Sequence, residues 1–347
     1  MTLWDSKTYQ QDVKRALEQF DVNDFKGKRI LVTGASGLIC SAIIDLLICA
    51  NQELNAQIII YVTGRNCDDL RKRFSYADDF LHFVYYDATR EFAFKQDVDY
   101  IIHGASNSSP DKYVNEPVET LLANVIGVQQ LLNYAKEHSV QKFVYISSSE
   151  VYGKLCHGNP LVEDEYGDID ILAKRSSYPM GKRAAETLAI AYSEQYNLNI
   201  SIVRPGHIYG PTARKTDNRV SSMFSYQAAE GKNLVMKSLG NQIRSYCHCI
   251  DCATAILTVL TKGKNKEAYN ISNKNSIITI RQMAEILASS AGVQVIMELP
   301  SDAEMAAFNP MDNSSLNSNK LEALGWCGQF DACYGLGHTV KVIQELL

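Results

Sequence analysis

The chain has 347 residues, 46% of them hydrophobic and 21% charged, with a formal net charge of −5. That length holds one large domain or two modest ones, and the composition is that of an ordinary globular enzyme. An acidic balance without a basic run argues against non-specific nucleic-acid binding, and no apolar run approaches membrane-spanning length.

The start, Met1-Thr-Leu-Trp-Asp-Ser6, lacks a basic segment followed by an apolar core, so it does not read as a secretion signal and a cytoplasmic protein is expected. Nine scattered cysteines, an odd number, fit reduced thiols better than a disulfide framework. Residues 1–26 read as an N-terminal extension. Residues 5–20 within it suit an amphipathic helix with Val13, Leu17 and Phe20 on one side, packing on the domain surface or on a partner.

Ile30-Leu31-Val32 is a short apolar run of strand formers. The chain turns at Gly34 and Gly37, and an apolar helical run follows from Leu38 to Ala50. Strand, glycine turn and helix together present free backbone N–H groups and a helix N-terminus to a phosphate. Gly34 allows the tight turn, and Gly37 lets a pyrophosphate approach the backbone. Cys40 stands where a third glycine is expected. A glycine turn alone is also compatible with some other α/β protein.

Four more strands follow: Gln57–Thr63, His82–Tyr86, Val98–His103 and Lys142–Ile146, with a helix from about Glu116 to Glu137. Strands alternating with helices predict a parallel, doubly wound sheet that binds ligands at its carboxyl edge. The second strand ends Thr63-Gly64-Arg65-Asn66 with no acid at its tip. An acid there suits a ribose hydroxyl and an arginine a 2′-phosphate, so Arg65 leans towards NADP; the alternative is a solvated arginine, with Asp68 and Asp69 close by. Asp87 and Ala88 end the third strand, where an aspartate can bond adenine. Gly104, Ala105 and Ser106 follow the fourth, small enough to let a flat cofactor pass.

Tyr178 and Lys182 stand at i and i+4, on one face of a helix. A lysine ammonium beside a phenol favours the phenolate, and such a phenolate takes a proton from a hydroxyl while hydride leaves the same carbon. Ser148, at a strand end, can bond that oxygen. Cys247-His-Cys249-Ile-Asp-Cys252 lacks a second ligand pair for zinc. It reads as buried thiols, with Cys247 and Cys249 on one strand face. No metal is expected. His103 and His248 read as satisfied structural histidines, and Trp326 as core.

These motifs resemble the extended short-chain dehydrogenase/reductases, the NAD-dependent epimerase/dehydratase family of nucleotide-sugar enzymes. The resemblance covers about residues 27–345. Its carriers are Thr33 to Ile39, Asp87, His103 to Ser106, Ser147 to Gly153, Tyr178, Lys182, Val203 to Pro211, Gly240, Arg244, Asp251, Tyr269 to Ile271 and Lys320 to Trp326. It implies a Rossmann-type domain over residues 27–205 and a smaller, discontinuous substrate region over 206–347 that partly returns to the sheet. It implies NAD or NADP as cofactor, oxidation of a nucleotide sugar at C4, and a homodimer formed through the Tyr178 helix.

Carried over residue by residue, cofactor binding falls to Gly34, Ser36, Gly37, Leu38, Ile39, Arg65, Asp87, Ala88, Gly104, Ala105, Ser106, Tyr178, Lys182, Pro205 and His207. Substrate binding falls to Ser149, His207, Arg219 and Arg244, and catalysis to Tyr178, Lys182, Ser148 and Glu150. Within the family the chain looks most like the UDP-glucuronate decarboxylases. It departs from them at Arg65, at His207 where many members have asparagine, and over Phe308–Leu316, which lacks that branch's arginine. Epimerisation, dehydration, decarboxylation and reduction stay open, as does a cofactor-binding sensor or scaffold without catalysis.

Overall fold

Short strand-forming runs separated by longer helical ones build a parallel sheet, because each helix returns the chain to the same edge. The computed structural model describes residues 2–155, 158–298 and 312–347. In chain order its elements are α1 (Lys7–Ala16), β1 (Arg29–Thr33), α2 (Leu38–Leu54), β2 (Ile59–Gly64), α3 (Cys67–Arg73), β3 (Leu81–Tyr85), β4 (Tyr100–His103), α4 (Pro110–Asn115), α5 (Pro117–Glu137), β5 (Lys142–Ile146), α6 (Ser177–Tyr196) and β6 (Ile200–Pro205). The rest supplies β7 (His207–Tyr209), α7 (Val220–Ala229), β8 (Leu234–Met236), β9 (Ile243–His248), α8 (Cys249–Lys262), β10 (Glu267–Ile271), β11 (Ile277–Thr279), α9 (Ile280–Ala291), β12 (Val295–Met297), β13 (Asn313–Ser314) and a closing helix, Ala332–Glu345.

Seven strands lie in the order β10-β6-β5-β4-β1-β2-β3, every pairing parallel. Both faces are covered. Ile30 and Val32 point into one core with α2 and α8, and Leu31 points into another with α5 and α6. That two-sided burial is why β1 reads as continuous apolar sequence rather than an alternation. The strand order changes direction between β1 and β4, the topological switch where such sheets open a crevice.

Observed ends differ from the predicted ones for local reasons. Gln57 has a left-handed backbone, φ 55°, so β2 begins after it. The Asp99 carboxylate accepts the Arg29 N–H at 2.8 Å, so β4 begins at Tyr100. His248 caps α8, its ring accepting the Ile250 N–H at 3.4 Å. Cys247 therefore ends a strand while Cys249 and Cys252 begin a helix, and the expected strand bearing both thiols of the C-x-C does not form. All three thiols are buried. Trp326 is buried too, its indole N–H donating to Thr254 Oγ1 at 3.0 Å.

The N-terminal extension packs on its own chain. Tyr9 and Val13 of α1 are fully buried. Asp45, buried in the apolar α2, accepts the hydroxyls of Tyr9 and Tyr76 and pairs with Arg73 at 2.5 Å. At the other end Thr8 Oγ1 donates to Glu345 at 2.5 Å, and His338 meets Asp12 at 3.0 Å. The C-terminal half forms a second sheet in which β9 is flanked by β11 and β13, with β7 alongside, and β12 pairs with β8. β10 returns to the edge of the main sheet beside β6. Among the described residues no helix is long and apolar enough to cross a membrane.

Gly34 has φ +73°, and a Cβ there would lie 2.8 Å from the backbone of Gly104. Gly34→Ala therefore loses about 1–3 kcal/mol to its left-handed backbone and more to the clash. Gly27, φ +69° with nothing within 4 Å, is the control. Urea unfolding should show Gly34→Ala destabilised well beyond Gly27→Ala; equal losses would remove the close-approach argument.

Candidate active site

The carboxyl ends of β1, β2, β4, β5 and β6 open into one cleft of ≈ 1690 Å³. Every residue to which cofactor binding, substrate binding or catalysis was carried over from the resemblance lines it, from Arg65 and Asp87 at one end to Arg219 and Arg244 at the other. Gly37 caps α2 with no side-chain acceptor, so the first N–H groups of a 17-residue helix are left to a ligand or solvent. One turn on, Cys40 takes up space against β4: a Cβ on Gly104 would run into its sulfur. The third glycine position is thus filled by a thiol that Gly104 accommodates, and burial pushes that thiol up to about 12.

Asp87 accepts the Thr89 N–H at 3.0 Å and its hydroxyl at 2.8 Å. The backbone bond from Thr89, chiefly, holds its carboxyl below the usual range, and Arg65 adds to this by charge. Arg65 is exposed at the rim. Asp68 and Asp69 are not lining residues: they open α3, their N–H groups accepted by Asn66. Asp68 pairs with Arg71 at 2.8 Å.

Tyr178 lies in the first turn of α6, where the helix's positive end favours a phenolate. Its ring stacks on Tyr113 with centroids 5.3 Å apart. Burial pushes its phenol up to about 12, while a hydrogen bond with Ser148 pulls the other way. The expected lowering by Lys182 is absent here. Lys182 Nζ donates to the Ile146 carbonyl at 2.7 Å and sits over the Tyr145 ring, 5.9 Å from the centre of the Tyr178 ring. Burial brings that ammonium down to about 7, since the apolar interior penalises its charge.

Ser148 Oγ accepts the Glu150 N–H at 3.2 Å. Glu150 is ion-paired with Arg175 at 3.0 Å, and Arg175 also bonds Tyr113. Arg175 and Tyr113 both line the cleft and sequence reasoning missed them. Arg175 lies three residues before Tyr178, which was the available signal; nothing local pointed to Tyr113.

At the far end Arg219 is held by Asp217 through Nε at 2.9 and 3.0 Å. Arg244 is 3% exposed, donates to the Ile243 carbonyl at 2.9 Å, and has no carboxylate partner among the described residues. A surface role for it is excluded. His207 has its Nδ1 buried without a partner. Burial, then Arg244 and Arg219, push it down to about 3. His103 shares a bond with Thr33 at 2.6 Å, but its Nε2 and that of His248 are buried and unpartnered, so both expected structural histidines are only half satisfied. Among the described residues no group of three His, Cys, Asp or Glu could hold a metal. Residues 308–311 of the Phe308–Leu316 segment lie outside the described residues.

The model of the NAD dependent epimerase/dehydratase family matches residues 30–272. The UDP-glucuronic acid decarboxylase 6 of Arabidopsis thaliana is 32% identical over 304 residues, covering 86% of this chain and 83% of that protein. The dTDP-D-glucose 4,6-dehydratase of Bos taurus is 28% identical, covering 93% and 90%. Among solved structures, the Thermotoga maritima UDP-glucose 4-epimerase with UDP-glucose shares the fold, with a TM-score of 0.77 at 23% identity over 92% of this chain and 99% of that one. A Streptomyces venezuelae dTDP-glucose 4,6-dehydratase, with NAD and TYD bound, has a TM-score of 0.75 at 25% identity, covering 91% and 97%.

His103 and His248 are each pushed by burial down to about 3. Unfolded, each takes a proton near pH 6.5; folded, neither does until far lower. The depressed values make stability complete above about pH 6.5 and lost as pH falls towards 3, by about 1.4 kcal/mol per pH unit for each ring. Urea midpoints should fall clearly between about pH 7 and 5, and by less in His248→Gln. A flat profile would show these rings titrating normally.

Proposed function

The chain belongs to the NAD dependent epimerase/dehydratase family, and on that premise we propose that it oxidises the sugar of a nucleotide sugar at C4, with Tyr178 taking the hydroxyl proton. The observation that carries this reading is the shared cleft: Tyr178, Ser148, the glycine turn and Arg244 all open on it. The relatives named above are decarboxylases, dehydratases and epimerases of nucleotide sugars.

When bound, the cofactor supplies the hydride acceptor and, in its oxidised form, a positive charge that favours the phenolate. NAD suits the turn from Gly34 to Ile39, where α2's free N–H groups hold a pyrophosphate. Asp87 and Ala88 take the adenosine end; Gly104, Ala105, Ser106, Pro205 and His207 flank the nicotinamide end. Ser148 orients the reacting oxygen, Ser149 lies beside it, and Arg219 with Arg244 hold the diphosphate, a pairing that suits guanidinium forks. Glu150 serves a second proton transfer.

Glu150 beside Ser148 also favours a second reading, decarboxylation of a UDP-linked uronic acid, as in the Arabidopsis relatives. Residues 308–316 carry no arginine, which weighs against it. Arg65 at the rim, with Asp68 turned to Arg71, supports NADP binding at least as well as NAD. A homodimer through α5 and α6 fits the exposed Val118, Leu121 and Leu122 on α5. The division at residue 205 is part of the same reading.

Chromatographic separation and mass spectrometry of products from UDP-, dTDP-, GDP- and CDP-sugars test the reaction. A product isomeric with its substrate or short of one water supports it, carbon dioxide release selects the second reading, and no turnover leaves a cofactor-binding protein without catalysis. Tyr178→Phe should keep cofactor and lose on the order of 10²-fold or more in hydride transfer; near-normal turnover would remove Tyr178 as base. For the cofactor, calorimetric titration into stripped protein should show Arg65→Ala losing NADP affinity selectively, by about 10- to 100-fold. Preference for NAD unchanged by that substitution would overturn the role of Arg65.

A further inference from the structure

A buried ion pair lies behind the reacting face and takes no part in the chemistry above. Glu186 follows Tyr178 and Lys182 at the same four-residue step, on the same side of α6. Its carboxylate accepts Arg204 Nε at 3.0 Å and Nη2 at 2.7 Å. Arg204, on β6, is 2% exposed and Glu186 8%. Glu186 Oε1 also accepts the Ser147 hydroxyl at 2.5 Å, one residue before Ser148. Arg204 Nη1 donates to the Tyr152 hydroxyl at 3.1 Å, and Tyr152 closes the short 3₁₀ turn that carries Ser149 and Glu150. One carboxylate thus ties together α6, the end of β5 and the turn bearing Glu150.

Stability does not account for such a pair. A buried ion pair gains little over well-packed apolar residues of similar volume, because desolvation offsets the attraction. Its charge does have a neighbour to act on. Lys182 has no carboxylate partner among the described residues. The groups facing it are Glu186 and Tyr178 on α6, Cys40 on α2, Tyr145 on β5 and His103 on β4. Of these only Glu186 carries a carboxyl group.

We propose that Glu186 is a positioning residue: clamped by Arg204, it fixes through Ser147 where Ser148 meets Tyr178, and its charge favours the Lys182 ammonium against burial. The proposal rests on the reading of Tyr178, Ser148 and Lys182 as the reacting face.

Glu186→Gln keeps the shape and an acceptor for Ser147 but removes the charge. In protein labelled with ¹³C at the lysine ε-carbon, the Lys182 signal is assigned by its loss in Lys182→Met and followed by NMR from about pH 5 to 9. Losing a nearby negative charge disfavours the ammonium, so the Lys182 midpoint falls, by about half a unit or more. Glu186→Asp keeps the charge and the midpoint. If Glu186→Gln does not fold with Arg204 unpaired, Glu186→Gln with Arg204→Met removes both charges, and a smaller fall is expected, because losing the Arg204 cation itself favours the ammonium. An unmoved midpoint overturns the charge role. With a nucleotide sugar that the natural protein converts, product formation by Glu186→Gln should show kcat about 10-fold lower at unchanged KM, rescued by Glu186→Asp. Natural rates in both Gln variants overturn the positioning role. If no sugar is oxidised by the natural protein, the proposed reaction falls while the lysine titration still decides this one.

Discussion

The close approach of the ends of β1 and β4 is the constraint on which the rest depends. Gly34 and Gly104 meet backbone to backbone, and a Cβ on either would collide: on Gly34 with Gly104 itself, on Gly104 with Cys40. That contact lets β1 turn sharply into α2 and aims the helix's free N–H groups over the sheet edge. The neighbouring strands place Ser148, Tyr178 and Pro205 on the same rim because the sheet is parallel throughout. Every crossover delivers its C-terminal strand end to one side.

Burial sets the electrostatics of that rim. Tyr178 is pushed towards the phenol and Lys182 towards the amine, each away from the charged form that the proposed proton abstraction needs. What offsets burial is built from separate elements: the first turn of α6, the Ser148 hydroxyl, Arg219 and Glu186. The arginines divide by their partners. Arg175 and Arg219 already face carboxylates, Glu150 and Asp217. Arg244 makes no ion pair among the described residues, Glu150 and Asp312 acting on it by charge alone, so it is the buried guanidinium most in need of an incoming anion. His207, its Nδ1 buried and both Arg244 and Arg219 acting on it by charge, is held towards the neutral form.

The N-terminal extension serves the scaffold. An aspartate in the apolar face of α2 would be costly alone, and Tyr9, Tyr76 and Arg73 converge on Asp45 to satisfy it. The helix that carries the glycine turn is thereby braced from behind by Tyr9, outside the matched family region, together with Arg73 and Tyr76 inside it.

Local signals were enough for much of this. Three adjacent apolar residues ending at two glycines, the strand–helix alternation and the i, i+4 spacing of Tyr178 and Lys182 depend on neighbours in the chain, so the sheet class and the glycine turn were legible from the sequence, while cleft residues such as His207, Arg219 and Arg244 were found only through the family resemblance. Partners distant in the chain were not. The pairing of Glu150 with Arg175, the stacking of Tyr113 on Tyr178 and the clamp of Arg204 on Glu186 arise only when separate strands and helices converge. The sign of the Tyr178 shift was misread for the same reason: spacing shows that a lysine is near, but burial and the Ile146 carbonyl, both products of packing, decide where its charge goes. Sequence alone determined which residues share a helix face or a strand end; the tertiary structure decided which of them are charged, paired or free to act, because desolvation and long-range contacts exist only in the folded chain.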